Sequence, residues 1–143
     1  MLRRDFIKTT CVTCAGVIGA GTLISTLNSC TALPVLKTTE TENKITVPKS
    51  SFIDPQNLLI LKSSNLEFDI LLIKKKDNTY NALYMQCTHH SQPLSATKSG
   101  LFCSAHGSAF NLEGEVTIQP AINPLKKFKT DIQNNNIIIY LTA

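Results

Sequence analysis

Four side chains of the kind that bind metals lie in two short loops between residues 87 and 106. The first loop supplies Cys87 and His89, and after thirteen intervening residues the second supplies Cys103 and His106. Thiolates are soft ligands, and imidazoles suit several transition metals. Two of each can hold a [2Fe–2S] cluster, with cysteines on one iron and histidines on the other, or a tetrahedral zinc ion. The loops therefore predict a metal centre and leave both alternatives open.

The composition is that of a single globular domain. The chain has 143 residues, 43% of them hydrophobic and 17% charged, with a formal net charge of +4 at pH 7. That length fits one domain. Arg3, Arg4, Asp5 and Lys8 carry +2 of the charge, within a segment that we expect to be removed. The remaining +2 is too small to indicate a nucleic-acid partner.

Residues 1–29 are predicted to be an export signal rather than part of the fold. The run RRDFIK at residues 3–8 resembles the twin-arginine signal, and a weakly apolar segment follows it. The run LNSC at residues 27–30 is typical of a bacterial lipobox, so we expect cleavage before Cys30 and lipidation of its sulfur. This predicts a membrane-anchored lipoprotein on the periplasmic face of the bacterial cell envelope. An uncleaved transmembrane anchor and simple secretion remain alternatives, although the glycines and threonines of the segment argue against a robust span.

The remainder of the chain is predicted to be a polar tether followed by a β domain. Residues 30–44 are polar and without hydrophobic periodicity, which predicts a tether between the lipid anchor and a domain at 45–143. Strands are predicted near residues 45–47, 58–61, 68–73, 80–86, 101–102, 115–118, 128–132 and 137–141, separated by Gly, Asn and Asp turns. Lys74–Lys76 are interpreted as the solvated end of a strand. Many short strands at close spacing predict an all-β sandwich or barrel.

From about residue 45 to its C-terminus the chain resembles a Rieske [2Fe–2S] domain. The likeness rests on the motifs Cys87-Thr88-His89, Cys103-x-x-His106-Gly107-Ser108, Phe110-Asn111-x-Glu113-Gly114 and Pro120-Ala121…Pro124-Leu125. A lone C-x-H would be a weak signal, whereas two loops in order with both downstream motifs are specific. The resemblance implies a Rieske-like antiparallel β-sandwich or barrel with a two-loop cluster-binding subdomain.

The resemblance also assigns the ligands of one [2Fe–2S] cluster per chain. Cys87 and Cys103 would bind the inner iron, and His89 and His106 the outer iron. Neutral imidazoles in place of two thiolates make the cluster less negative, which raises its reduction potential to about −150 to +300 mV. His90 is the only other histidine, and the C-x-H spacing of the family favours His89 as the ligand.

Three further residues acquire roles from the same resemblance. Gly107 would let the backbone pass close to the cluster. Ser108 would donate its hydroxyl to a cluster sulfur and raise the potential, although a serine of a tight turn is the alternative interpretation. Pro120 would open a proline loop that covers the cluster.

The departures from the family pattern point to a modest potential. Respiratory Rieske proteins carry a second cysteine in each loop, and these form a disulfide. Gln92 and Ala105 occupy the corresponding places here, so that disulfide cannot form. The tyrosine that bonds a ligand sulfur in high-potential members corresponds to Phe110, which has no hydroxyl.

The function implied is that of a one-electron carrier without a catalytic site of its own. Its partners would be redox donor and acceptor proteins or a membrane quinol. An electron-transfer subunit of a larger oxidoreductase, such as a quinol–cytochrome complex or a molybdenum-type oxidase, is the first alternative. A zinc-stabilised binding module is the second. A Rieske oxygenase needs a further iron held by two histidines and a carboxylate, and only His90 remains for it.

Overall fold

Eleven short strands make up the part of the chain that the structure, a computed structural model, describes: residues 32–53 and 55–142. They are β1 Val35–Thr38, β2 Lys44–Pro48, β3 Leu58–Ser63, β4 Ile70–Lys74, β5 Tyr80–Tyr84, β6 Ser95–Thr97, β7 Gly100–Phe102, β8 Ala109–Phe110, β9 Val116–Ile118, β10 Lys127–Gln133 and β11 Asn136–Tyr140. In these residues one 3₁₀ turn, Lys49–Ser51, is the only helical element, and no helix is long and apolar enough to cross a membrane. The predicted export signal and Cys30 lie outside the described residues.

Seven strands form one large sheet in the order β1-β3-β4-β5-β10-β11-β2. β1 pairs with β3 in parallel, and every other neighbouring pair is antiparallel. The first residues of β10 pair with β5 and the rest with β11, which bends the sheet around. Its two edge strands, β1 and β2, come close to each other, so the sheet is almost closed into a barrel. The predicted all-β sandwich or barrel is confirmed.

The central strands β3 to β5 are covered on both faces. Alternate side chains of a strand point to opposite sides. Leu59 and Leu72 belong to the core inside the barrel, whereas Leu58 and Leu71 belong to a second core that also contains the two loop cysteines. A strand buried on both sides has no polar face, which explains why Leu58–Leu61 is apolar throughout.

The remaining four strands form a small antiparallel sheet in the order β6-β7-β8-β9. Its short strands are held together closely at Gly100, where an added Cβ would collide with the carbonyl oxygen of Phe110. Only glycine fits such an approach of two backbones. Leu101 and Phe110 face each other across β7 and β8, and both are buried. This pairing fixes the strand that leads into Cys103.

The N-terminal part of the domain differs from the prediction. The sequence predicts a tether over residues 30–44, but β1 lies within the large sheet and the compact unit begins at Ala32. In β1 only Leu36 packs against the inner core, while Val35 and Lys37 are exposed. One apolar side chain facing inward is too weak a pattern to predict a strand. β6 and β8 are too short to show a pattern at all.

Candidate metal centre

Each ligand loop follows directly on a strand. β5 leads to Cys87 and β7 to Cys103. In the first loop the N–H of Cys87 donates to the carbonyl oxygen of Gln92 at 2.8 Å. The N–H of Ser91 donates back to the carbonyl oxygen of Cys87 at 2.9 Å. These two hydrogen bonds close the loop around the Cys87-x-His89 segment.

The second loop repeats this hydrogen-bond pattern. The N–H of Cys103 donates to the carbonyl oxygen of Ser108 at 2.8 Å, and the N–H of Gly107 donates to that of Cys103 at 3.0 Å. The partners are therefore four and five residues after the cysteine in both loops. The sequence shows no sign of this equivalence, because Ser91 and Gly107 are different residues.

The fourth residue after each cysteine has a left-handed backbone. Its φ is 45° at Ser91 and 81° at Gly107. An added Cβ at Gly107 would meet nothing within 4 Å, so among the protein atoms it is the backbone conformation, not crowding, that calls for glycine. Ser91 adopts the same conformation with a side chain, which costs about 1–2 kcal/mol.

We therefore expect Gly107→Ala to lower the free energy of unfolding by about 1–2 kcal/mol. Ser91→Gly is expected to change it by less than about 0.5 kcal/mol, because relief of strain offsets the greater entropy of the unfolded glycine. Urea unfolding of the cluster-loaded protein measures both variants. A larger cost for Ser91→Gly than for Gly107→Ala would contradict the equivalence of the two positions.

The sulfur ligands lie inside the domain and the imidazoles lie at its surface. Cys87 and Cys103 are each 1% exposed, belong to the same buried core and form no disulfide. His89 is half-buried, while His90 and His106 are exposed. A metal group held here would be shielded from water on the cysteine side and reachable on the histidine side.

All three histidines gather at one point of the surface. The ring centroids of His89 and His106 are 5.0 Å apart, with an interplanar angle of 88°. The ring of His90 lies 4.2 Å from that of His89 and 5.4 Å from that of His106. The structure thus brings the two predicted imidazole ligands together and adds His90 as a neighbour.

The Nδ1 atom of His89 is available to a metal. Among the described residues, its Nδ1 is a buried side-chain atom without any hydrogen-bond partner. Leaving such a nitrogen unpaired is unfavourable, and coordination to a metal would satisfy it. Burial lowers the pKa of His89, and positive charge on His90 and His106 lowers it further. Both effects favour the neutral imidazole, which is the form that binds metals.

Ser108 connects the second ligand loop to the proline loop. It is fully buried, and its Oγ accepts a hydrogen bond from the N–H of Ala121 at 3.0 Å. The hydroxyl proton of a serine that accepts in this way is still free to be donated. Ser108 is therefore a structural link in this loop and also a potential donor.

A second link ties the proline loop to the first ligand loop. The hydroxyl of Thr88 donates to the carbonyl oxygen of Asn123 at 2.6 Å. Pro120 itself is exposed, whereas Ala121 and Leu125 on either side of the loop are buried. Sequence reasoning does not assign this hydrogen bond to Thr88, because the middle residue of a C-x-H motif has no required chemistry.

The donor set fits a two-iron cluster. Within residues 32–53 and 55–142, no three His, Cys, Asp or Glu side chains converge as the ligands of one metal ion would. Zinc in a structural site needs four ligands around one centre. A [2Fe–2S] group needs only two protein ligands on each iron. Two cysteines and two histidines match that requirement in number and type.

The three residues that depart from the family pattern, Phe110, Gln92 and Ala105, lie in different environments. Phe110 is 2% exposed, in the core that contains both cysteines. Gln92 and Ala105 are exposed. No sulfur is available at these two positions to brace the loops.

Known proteins resemble this chain over the residues that include the site. A model of the Rieske [2Fe–2S] domain matches residues 43–129, which include all four predicted ligands. The iron–sulfur subunit of the cytochrome b6-f complex of Chlorobaculum thiosulfatiphilum is 27% identical over 128 residues, which are 87% of this chain and 69% of that protein.

Solved structures share the fold. The plasma-membrane Rieske protein PetC3 of Synechocystis PCC 6803 superposes with a TM-score of 0.55 at 22% identity, over 66% of this chain and 96% of that one. Naphthalene 1,2-dioxygenase gives 0.55 at 18% identity, over 69% of this chain but only 26% of the enzyme. At such identities the likeness concerns the fold alone. Together with the family match, it establishes that the chain belongs to the Rieske [2Fe–2S] domain family, as an electron-transfer protein whose cofactor is a [2Fe–2S] cluster.

Proposed function

We propose that the protein is a one-electron carrier of the bacterial cell envelope, with Cys87 and Cys103 on one iron of its cluster and His89 and His106 on the other. The observation that carries this assignment is the pairing of two buried, unbridged cysteines with two adjacent imidazoles at the surface. When bound, the cluster supplies reversible one-electron chemistry.

The protein residues around the cluster shield it from water on one side and leave it open to a redox partner on the other. Cys87 and Cys103 keep water from the sulfur side, because they are part of the core. His106 is exposed, so a partner can approach the imidazole side closely. Thr88 and Ser108 hold the proline loop against both ligand loops and so limit their movement during electron transfer.

Absorption and EPR spectra of the aerobically purified protein test this function. The cluster should be coloured when oxidised and EPR-active after reduction by one electron. A colourless, EPR-silent protein with stoichiometric zinc would overturn both the carrier and the ligand assignment.

The midpoint potential is expected to lie below about +250 mV, within the range of about −150 to +300 mV known for such clusters. The chain has no cysteine at Gln92 or Ala105 to brace the loops, and Phe110 has no hydroxyl to donate to a sulfur. Ser108 remains as a donor. A redox titration followed by EPR gives the midpoint, and a value at or above about +250 mV would contradict the argument.

Ser108→Ala is expected to lower the midpoint potential by about 60–130 mV, because a hydrogen bond to a charged group is worth about 1.5–3 kcal/mol. The exposed Ser104, in the same loop, provides the matched control. Ser104→Ala should leave the potential within about 20 mV, well under the expected effect of one hydrogen bond. Equal potentials for the two variants would show that Ser108 acts only as the link to Ala121.

The envelope location and the lipid anchor are supported by the sequence of residues 1–30. Export by the twin-arginine route suits a domain that receives its cluster before it crosses the membrane. Labelling with palmitate tests the anchor: the wild-type chain should be labelled and the Cys30→Ala variant should not. Undiminished label in the variant would rule out lipidation at Cys30.

A role as a subunit of a larger oxidoreductase is the second candidate, because the relative from Chlorobaculum thiosulfatiphilum is named as a subunit of a cytochrome complex. Native electrophoresis of detergent-solubilised membranes distinguishes a subunit of a larger complex from a single carrier. Migration with a haem-containing band would favour the subunit, and migration as a free single chain would favour the single carrier.

A further inference from the structure

A cleft of about 560 Å³ lies between the β4–β5 turn and the small sheet, and four lysines, Lys74, Lys75, Lys76 and Lys98, line it. We propose that this lysine cleft binds an anionic phospholipid and thereby seats one end of the domain on a membrane surface. The orientation that follows for the cluster rests on the proposed anchor at Cys30, whereas the affinity of the cleft for lipid does not.

The apolar part of the cleft suits a lipid better than a free ion. Leu33, Leu58, Ile73 and Leu112 contribute to its lining. The size is within the range of about 300–1,000 Å³ that small-molecule sites occupy. Ile53, whose carbonyl oxygen accepts the N–H of Gln56 at the cleft, is 69% exposed and adds a further apolar side chain nearby. An inorganic phosphate would leave this surface without a partner.

The charge of the rim suits an anionic headgroup. Among the described residues that line the cleft, Glu113 is the only carboxylate against the four lysines. Asp77 follows Lys76 in the turn, but its carboxylate accepts hydrogen bonds from the hydroxyl and the N–H of Thr79, at 2.6 and 3.0 Å. Among the described lining residues the positive charges therefore outnumber the negative ones, which favours phosphate oxygens.

The topology puts the lysine cleft and the ligand loops at opposite ends of the same strands. The Lys74–Lys76 turn precedes β5, which spans about 13 Å from Tyr80 to Tyr84 at 3.3 Å per residue, and Cys87 follows beyond the far end of the strand. Lys98 lies in the turn before β7, which runs towards Cys103. A domain that rests on a membrane by this cleft would direct its imidazoles away from the lipid, towards a partner in the aqueous phase.

The chain also enters the domain at the cleft. Leu33, the second residue of the compact unit, is part of the lining. The neighbouring Pro34 is held in place, because its carbonyl oxygen accepts the N–H of Ile60 at 2.9 Å. Only two residues separate Leu33 from Cys30 in the sequence. A lipid on Cys30 would therefore hold the cleft close to the bilayer, where the local lipid concentration is high.

The test uses the mature, cluster-loaded protein purified from membranes, on vesicles of phosphatidylcholine alone and of phosphatidylcholine mixed with phosphatidylglycerol. Amide hydrogen exchange is compared for the two lysine turns, residues 74–79 and 97–100, and for the ligand loop at 87–91. One variant combines Lys75→Gln, Lys76→Gln and Lys98→Gln. The control combines Lys44→Gln, Lys126→Gln and Lys129→Gln, which removes the same charge from exposed lysines outside the cleft.

On the anionic vesicles we expect exchange in both lysine turns to be slower by about fivefold or more, since each lysine near such a surface strengthens association by about that factor. The cleft variant should lose this protection and the control variant should keep it. Equal exchange on both vesicle types, equal behaviour of the two variants or protection of residues 87–91 instead would overturn the proposal. Sedimentation with the neutral vesicles reports the lipid anchor separately, and the EPR signal reports the cluster.

Discussion

Replacing His89 with alanine is expected to abolish cluster assembly, whereas replacing His90 with alanine leaves it intact. Iron content and the visible spectrum of the purified variants measure the difference, which should exceed about tenfold because loss of even a supporting residue around a metal costs about 10–100-fold in affinity. The physical reason is the environment of the two rings. His89 holds a buried nitrogen without a partner among the described residues, while His90 is exposed to water.

The comparison is sharp because the two histidines are neighbours in sequence and in space. Their ring centroids are 4.2 Å apart, so a general disturbance of the loop would affect both variants alike. Assembly in His89→Ala together with failure in His90→Ala would reverse the assignment and break the C-x-H spacing of the family. Failure of both would mean that the loop tolerates no change, and His90→Gln, which retains size and polarity, would then decide whether His90 is a ligand.

The site could be predicted from the sequence because its chemistry is local. Cys87, His89, Cys103 and His106 lie within two loops, and their residue types alone restrict the metal groups that they can hold. The strands that deliver the loops also have strong local patterns. Leu58–Leu61 and Ile70–Ile73 are apolar because neighbours cover β3 and β4 on both faces, and both runs predict strands.

The features that escaped prediction depend on contacts between residues that are distant in the sequence. Thr88 donates a hydrogen bond to Asn123, which lies 35 residues away in the sequence, and no property of a threonine in a loop predicts that partner. β1 becomes a strand only because β3 offers it a parallel edge. The left-handed conformation of Ser91 follows from the closure of its loop, in which glycine would be the usual signal. Tertiary structure decides such positions, and local sequence does not.

Phe110→Ala is expected to be the most destabilising single change near the site. Phe110 is 2% exposed and packs in the core that contains both ligand cysteines. Truncating a buried phenylalanine costs about 3–5 kcal/mol, which should lower the melting temperature by on the order of 10–20 °C in a domain of this size. Such a loss is a large share of the total stability of about 5–15 kcal/mol that domains possess.

Phe102 supplies the matched control, because it lies on the adjacent strand β7 and points outwards with 44% of its surface exposed. Phe102→Ala should cost less than about 1 kcal/mol, as surface substitutions usually do. Thermal unfolding should be followed by circular dichroism and by the visible absorption of the cluster in parallel. Because Cys87 and Cys103 are part of the core that Phe110 fills, both signals should be lost together and at a lower temperature in Phe110→Ala. If the cluster of Phe110→Ala were retained as well as that of Phe102→Ala, the ligand loops would be held by their own hydrogen bonds and the links to the proline loop, independently of the core beneath them.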